Sequence, residues 1–137
     1  MVRTDALKLK VQLFCGDEPA IGPGKAQLLE AIGREGSISA AGRALGMSYR
    51  RTWMLVDTMN RSWKEKLVET TSGGGPSKGA RLTACGRTVL EAYRSLERQL
   101  AKAAAEGGLD ALTALLLNTP RETGEAPRAP RATAATD

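Results

Sequence analysis

Two adjacent arginines, Arg50 and Arg51, stand at the start of a segment with helical periodicity, directly after Ser48 and Tyr49. A guanidinium can donate two parallel hydrogen bonds to the edge of a guanine or clamp a phosphate. The first turn of a helix is where such groups approach a DNA groove most closely. This stretch is therefore a candidate DNA-contacting surface. The alternative is a solvated arginine pair on an ordinary helix.

Residues 37–60 carry the elements that would position these arginines. Ser39 is predicted to cap a first short helix, because a serine hydroxyl can accept hydrogen bonds from the free N–H groups of an opening turn. Gly46 is predicted to form the turn that follows, and Ser48 to cap a second helix running to about Asn60. Small residues allow the helices to cross closely: Ala40, Ala41, Gly42 and Ala44. The pattern is typical of a helix-turn-helix.

The second helix has two faces. Thr52, Val56 and Met59 recur at i, i+4 and i+7, with Leu55 alongside, and are predicted to face the core. The residues that lie away from that face, near the helix start, are Tyr49, Arg50, Arg51 and Met54.

Two elements precede this pair of helices. Residues 7–14 alternate apolar and polar side chains, which predicts one half-buried strand with Leu7, Leu9, Val11 and Leu13 inward. A support helix is predicted from about Lys25, ending before Gly36.

A hairpin is predicted directly after the second helix, with strands at 67–71 and 80–82 around the glycine-rich residues 72–79. A hairpin in this place is the wing of a winged helix-turn-helix. Lys78 and Arg81 could reach phosphates or the minor groove from it. A nucleotide-phosphate loop is disfavoured, because Lys78 precedes its glycine and a strand follows.

Thr83 is predicted to cap a long helix over about 83–105. The seam Val89, Tyr93, Leu96 and Leu100 repeats at alternating steps of four and three, which predicts dimerisation through this helix. The alternative is packing on its own domain. Residues 106–119 are predicted to form a short apolar helical segment, and residues 120–137 a disordered tail.

The 137 residues carry a formal net charge of +5, which favours an anionic partner. Residues 25–104 hold fourteen basic and seven acidic side chains, so the positive charge coincides with the helix-turn-helix pattern. Histidine is absent, and Cys15 and Cys85 have no metal-ligand spacing. We expect no catalytic residues, no metal and no cofactor. Isolated cysteines and the lack of a long apolar run favour a cytoplasmic protein without a membrane span.

With these residues in view, the chain resembles the N-terminal DNA-binding domain of ModE-type molybdenum-dependent transcriptional regulators, which is related to the LysR-type winged helix. The resembling stretches are residues 21–25 (IGPGK), 28–32 (LLEAI), 36–41 (GSISAA), 46–53 (GMSYRRTW), 55–57 (LVD), 59–60 (MN), 67–70 (LVET) and 80–83 (ARLT), with the glycine loop between the last two.

The resemblance implies a mainly α fold with a small β component: a winged helix-turn-helix over residues 1–105 with a long C-terminal dimerisation helix. It implies a homodimer that binds double-stranded DNA. The DNA-binding candidates are Ser39, Ser48, Tyr49, Arg50, Arg51, Lys78 and Arg81. Full-length family members continue into β-barrel modules that bind molybdate, whereas only 33 residues follow Ala104 here, so we expect no tight molybdate binding by this chain.

The sequence thus predicts a ModE-like, sequence-specific transcriptional regulator. One rival is an oxyanion sensor that holds molybdate at a dimer interface. Another is a protein-interaction adaptor that uses the leucine-rich segment. An enzyme is disfavoured because no nucleophile–base pairing is recognisable.

Overall fold

Five helices and three antiparallel strand pairs make up the part of the chain that the structure, a computed structural model, describes: residues 2–4, 6–71 and 79–124. The strands are β1 (Val2–Thr4), β2 (Leu7–Leu9), β3 (Leu13–Cys15), β4 (Glu18–Ile21), β5 (Val68–Thr71) and β6 (Gly79–Leu82). The helices are α1 (Pro23–Glu35), α2 (Ile38–Ala44), α3 (Tyr49–Ser62), α4 (Ala84–Ala105) and α5 (Leu109–Leu115). A winged helix-turn-helix with a long fourth helix is confirmed.

The N-terminal segment forms two hairpins, and the prediction of one strand over residues 7–14 is wrong. β2 pairs with β1, whereas β3 pairs with β4, so the two strands belong to different sheets. Residues 10–12, which lie between β2 and β3, belong to neither strand. As a result Leu7, Leu9 and Val11 are half-buried, but Leu13 is 42% exposed.

The cap of α2 is Ser37, so the prediction that Ser39 caps this helix is wrong. The Ser37 hydroxyl accepts a hydrogen bond from the backbone N–H of Ala40 at 2.9 Å. Starting the helix at Ile38 places Ile38, Ala41 and Gly42 on one buried face at i, i+3 and i+4. Burial of that face therefore determines which serine becomes the cap.

The turn between α2 and α3 follows the prediction. Gly46 adopts the left-handed conformation with φ 72°, where a side chain would be strained. The Ser48 hydroxyl then accepts the backbone N–H of Arg51 at 3.1 Å and caps α3. α3 extends to Ser62, slightly beyond the predicted end.

The core lies where α1 packs against α2, α4 and β6. α1 is buried along Leu28, Leu29 and Ile32, and it ends before Gly36, which takes the left-handed conformation. The predicted inward face of α3 is confirmed, because Thr52, Val56 and Met59 are its buried residues. The largest fully buried side chains are Ile21, Leu28, Leu29, Ile32, Met59, Leu67, Val68 and Thr52.

Asn60 joins the end of α3 to the base of the hairpin β5–β6. Its Oδ1 accepts the backbone N–H groups of Leu67 and Val68 at 2.9 and 3.0 Å, and its Nδ2 donates to the Val68 carbonyl at 3.0 Å. Thr83 adds a bond from the start of α4, since its backbone N–H donates to the Leu67 carbonyl at 2.9 Å. Three elements therefore meet at residues 67–68.

α4 begins as predicted, with the Thr83 hydroxyl accepting the backbone N–H of Gly86 at 2.9 Å. Arg94 ties the middle of α4 to α1 through hydrogen bonds to both carboxylate oxygens of Glu30 at 2.8 and 2.9 Å. Arg94 also donates to buried Glu97 at 2.7 Å. Burial raises the pKa of Glu97, but the hydrogen bonds and positive charges around it, Arg94 foremost, outweigh this and lower the pKa.

α5 and the described residues that follow it lie at the surface. α5 has no buried residue, and Leu115 is 87% exposed. Most of the predicted disordered tail, residues 125–137, lies outside the described residues. Within the described ranges, no helix is long and apolar enough to cross a membrane.

Candidate nucleic-acid interface

The first turn of α3 presents three exposed side chains, Tyr49, Arg50 and Arg51. The Ser48 cap stabilises this turn, because its hydroxyl accepts a hydrogen bond from the backbone N–H of Arg51. No carboxylate of the described residues pairs with Arg50 or Arg51. Two uncompensated guanidinium groups therefore stand at the positive end of a helix dipole, a combination that favours an anionic partner.

The aromatic side chain of this turn, Tyr49, contacts a second ring on α3. The Tyr49 ring lies 6.0 Å from the Trp53 ring, tilted by 58°. Tyr49 remains 67% exposed, whereas Trp53 is half-buried and packs against the core. Met54 is exposed one turn further along α3. The α3 surface thus offers both charged and apolar contacts beside the arginines.

Ser39 occupies the second position of α2 and is half-buried. Because Ser37 is the cap, Ser39 does not make the cap contact predicted for it. Ser48 is exposed and is the cap of α3.

Arg81 on the wing is exposed but paired. Its Nε donates to Glu69 Oε2 at 2.6 Å across the strand pair, where the two residues are direct partners in register. The pair reduces the positive charge that Arg81 presents to a partner. Lys78, the other wing candidate, lies outside the described residues.

A basic groove that the sequence patterns do not predict lies beside Arg50 and Arg51. It has a volume of about 670 Å³, and its lining includes Lys8, Lys10, Lys25 and Arg51. Lys25 is held in place by a hydrogen bond from Nζ to the Pro19 carbonyl at 2.9 Å. Burial lowers the pKa of Lys25, Glu18 opposes this, and the nearby charge of Arg51 lowers it further. The alternation of Lys8 and Lys10 within the predicted strand 7–14 was the available signal, but no local pattern connects them to α1 or α3.

The predicted seam of α4 is partly apolar surface. Tyr93 is buried and its hydroxyl donates to the Val11 carbonyl at 2.8 Å, whereas Leu96 and Leu100 are 39% and 40% exposed. Val89, Tyr93 and Leu96 line an apolar groove of about 210 Å³ together with Leu13 and Trp63. The seam therefore packs on its own domain at Tyr93, whereas Leu96 and Leu100 further along α4 remain exposed.

Across residues 6–71 and 79–124, no cluster of three or more cysteine, aspartate or glutamate side chains could hold a metal ion.

Residues 24–87, which run from the first turn of α1 into α4, match the family described as bacterial regulatory helix-turn-helix protein, lysR family. The chain carries a LysR-type helix-turn-helix domain. This domain includes α1, the helix-turn-helix pair and the wing, so the predicted LysR-like winged helix is confirmed.

Similar proteins support a ModE-like domain. The chain is 39% identical over 95 residues to the molybdenum-pterin-binding protein MopA of Rhodobacter capsulatus, covering 68% of this chain and 36% of that protein. It is 42% identical over 78 residues to the molybdenum transport protein ModE of Azotobacter vinelandii, covering 57% and 29%. It is 34% identical over 97 residues to the DNA-binding transcriptional dual regulator ModE of Escherichia coli strain K12, covering 71% and 35%. The matched region spans about a third of the length of these relatives.

Proposed function

We propose that this chain is a sequence-specific DNA-binding transcriptional regulator whose α3 enters the major groove. The observation that carries the proposal is the uncompensated pair Arg50 and Arg51 in the capped first turn of α3, within a LysR-type helix-turn-helix domain. Arg50 and Arg51 would contact bases or phosphates, with Tyr49 beside them. Ser48 would keep its capping role, and its exposed hydroxyl lies where a phosphate can approach.

The proposed target is a set of molybdenum-related genes. Support comes from the relatives, whose names connect them with molybdenum transport, molybdenum-pterin binding and transcriptional regulation. A cytoplasmic location follows from the proposal, because the chain must reach the chromosome.

The proposed active form is a homodimer that joins through α4 at Val89, Tyr93, Leu96 and Leu100. Exposed leucines on α4 and α5 support it, because apolar surface of this kind is stabilised when a second copy covers it. Residues 1–105 would act as the DNA-binding unit, and residues 106–119 would extend the dimer contact. A dimer would bind two related half-sites.

The test begins with selection of genomic duplexes by the purified 137-residue protein, followed by footprinting of the enriched fragments. We expect a protected site with two related halves and an affinity that falls steeply with salt for both operator and random duplex. Operator binding should exceed random binding by about a thousand-fold or more. Enrichment of no common site, with equal affinity for all duplexes, would contradict sequence-specific regulation.

A protein-interaction adaptor remains the second candidate, supported by the exposed leucines of α5. The two functions differ in DNA binding. A regulator would bind duplex DNA with a salt-dependent affinity, whereas an adaptor without DNA affinity would bind no duplex at any salt concentration.

A further inference from the structure

The basic groove combines charges from three separate elements. Lys8 and Lys10 come from β2 and the residue that follows it, Lys25 from the first turn of α1, and Arg51 from the first turn of α3. None of the described residues that line the groove is acidic; the remaining ones are Gln12, Pro19, Gly22, Pro23, Gly24, Gln27 and Leu55. Glu18 acts on Lys25 from β4 but does not line the groove. Such a concentration of like charge favours an anion.

The backbone of α1 adds to this potential. Gly22 is the N-cap and provides no side chain to the opening turn, and Pro23 follows it. The free N–H groups and the positive end of the helix dipole therefore lie at the groove without an internal partner from a cap. Lys25 is held over this end by its bond to the Pro19 carbonyl, which uses one of its three donors.

We propose that this groove binds the phosphate backbone of the DNA strand that flanks the base-contacting site of α3. This inference rests on the proposed DNA-binding function and extends its interface to β2 and α1. Arg51 belongs to both surfaces, so a duplex in contact with the first turn of α3 continues directly into the groove. The groove is open, and about 670 Å³ is far more than one small oxyanion would fill, which favours a chain of phosphates.

The test compares two double lysine variants of the 137-residue protein. Lys8→Gln with Lys10→Gln removes two groove charges, and both residues are exposed. Lys64→Gln with Lys66→Gln removes the same charge from exposed positions after the far end of α3. Affinity for operator and for random duplex is measured across a salt series, with circular dichroism to verify folding.

We expect the groove variant to bind operator and random duplex more weakly by the same factor, because phosphate contacts carry no sequence information. Its salt slope should fall by about 1.8, at roughly 0.9 per lost phosphate contact, while the slope of the control variant stays near that of the wild type. Phosphate ethylation should interfere with wild-type binding at flanking positions and lose that effect in the groove variant. Equal slopes in the two variants would overturn the groove proposal.

Two further results separate the possibilities. If Arg50→Ala weakens operator binding while both lysine variants match the wild type, DNA regulation stands and the groove proposal fails. If the wild type binds no duplex at all, both proposals fail.

Calorimetry with inorganic phosphate and sulfate at constant ionic strength tests whether the groove binds a free anion. Saturable heat that disappears in the groove variant, without a change in the DNA salt slope, would reassign the groove to a small oxyanion.

Discussion

Gly42 of α2 lies directly against Thr52 of α3, so that a Cβ atom added to Gly42 would overlap the Thr52 side chain. Thr52 is fully buried, and its hydroxyl donates to the Ser48 carbonyl at 2.7 Å. The contact leaves Thr52 little freedom to move aside. The orientation of α3, and with it the direction of Arg50 and Arg51, depends on the absence of a side chain at residue 42.

Gly42→Ala should therefore destabilise the domain by about 1–3 kcal/mol, the range for overpacking a core. Gly33→Ala is the matched control, because a Cβ there meets only the Leu82 Cδ1 at 3.8 Å, an ordinary contact. Since alanine favours a helix over glycine, the control should stabilise by about 0.4–1 kcal/mol. Urea unfolding measures both. Equal effects of the two substitutions would mean that α2 and α3 do not depend on this close approach.

Arg50→Ala and Arg51→Ala should weaken operator binding more than binding to random duplex. A bidentate arginine–guanine pair contributes about 1–3 kcal/mol of discrimination. Lys78→Ala should weaken both bindings about equally and reduce the salt slope by roughly one, the behaviour of a phosphate contact. Affinities of each variant for both duplexes across a salt series provide the measurement.

Arg81→Ala with Glu69→Ala is the internal control, because it removes an ion pair without changing the net charge, and we expect a smaller effect than for Arg50. Proportional loss of operator and random binding in both arginine variants would identify them as backbone contacts. Base recognition would then come from Tyr49, Met54 or the shape of the DNA.

Leu96→Lys should convert the proposed dimer into a monomer that binds operator much more weakly. Leu96 is exposed in the single chain, so the lysine is tolerated there, but it would place a charge within the α4 contact between two copies. Ser95→Lys is the control, since Ser95 is exposed on another side of α4. Sedimentation velocity measures the mass. A Leu96→Lys protein that remains dimeric would move the interface to another surface, with the N-terminal hairpins next.

The 137-residue chain should not bind molybdate tightly, because it matches only about a third of the length of the relatives whose names refer to molybdenum. Calorimetry with molybdate, tungstate and sulfate should give only heats of dilution. Selective binding of molybdate at micromolar concentration would contradict this and favour the oxyanion sensor.

Tyr93 should make stability fall at alkaline pH. Burial, together with the charge and hydrogen bond of Glu97, raises the pKa of Tyr93 from 10.0 to about 12. The folded protein therefore favours the protonated hydroxyl, and the stabilisation is fully present below pH 10 and is lost as pH rises through about 12. Tyr93→Phe should show a shallower fall of unfolding free energy over this range. Tyr49→Phe, at an exposed position, should follow the wild type; identical profiles for all three would contradict the expectation.

The sequence predicted the parts of the fold that local chemistry determines. The caps Ser48 and Thr83, the left-handed Gly46 and the buried face of α3 depend on neighbouring residues, and each lies where it was predicted. Arg50 and Arg51 share the first turn of α3 because they are adjacent in the sequence.

The remaining features depend on residues distant in the chain. Ser37 and Ser39 are equally good caps by type, and only the burial of Ile38 and Ala41 decides between them. β2 and β3 are separate strands because they pair with different partners. The alternation of apolar and polar side chains over residues 7–14 is the same for one strand as for two, so it cannot reveal this break. The basic groove needs β2, α1 and α3 to converge, and the charge pattern of the sequence located the positive region without revealing that convergence.

Asn60 has a mechanical consequence. Its three hydrogen bonds join α3 to Leu67 and Val68 at the base of the wing, and Thr83 joins the start of α4 to the carbonyl of Leu67. α3, the base of the wing and the start of α4 are therefore linked by direct hydrogen bonds. In the proposed homodimer, a signal that bends or separates the two copies of α4 would change the spacing between the two α3 helices. Control over DNA would then act on the distance between half-sites.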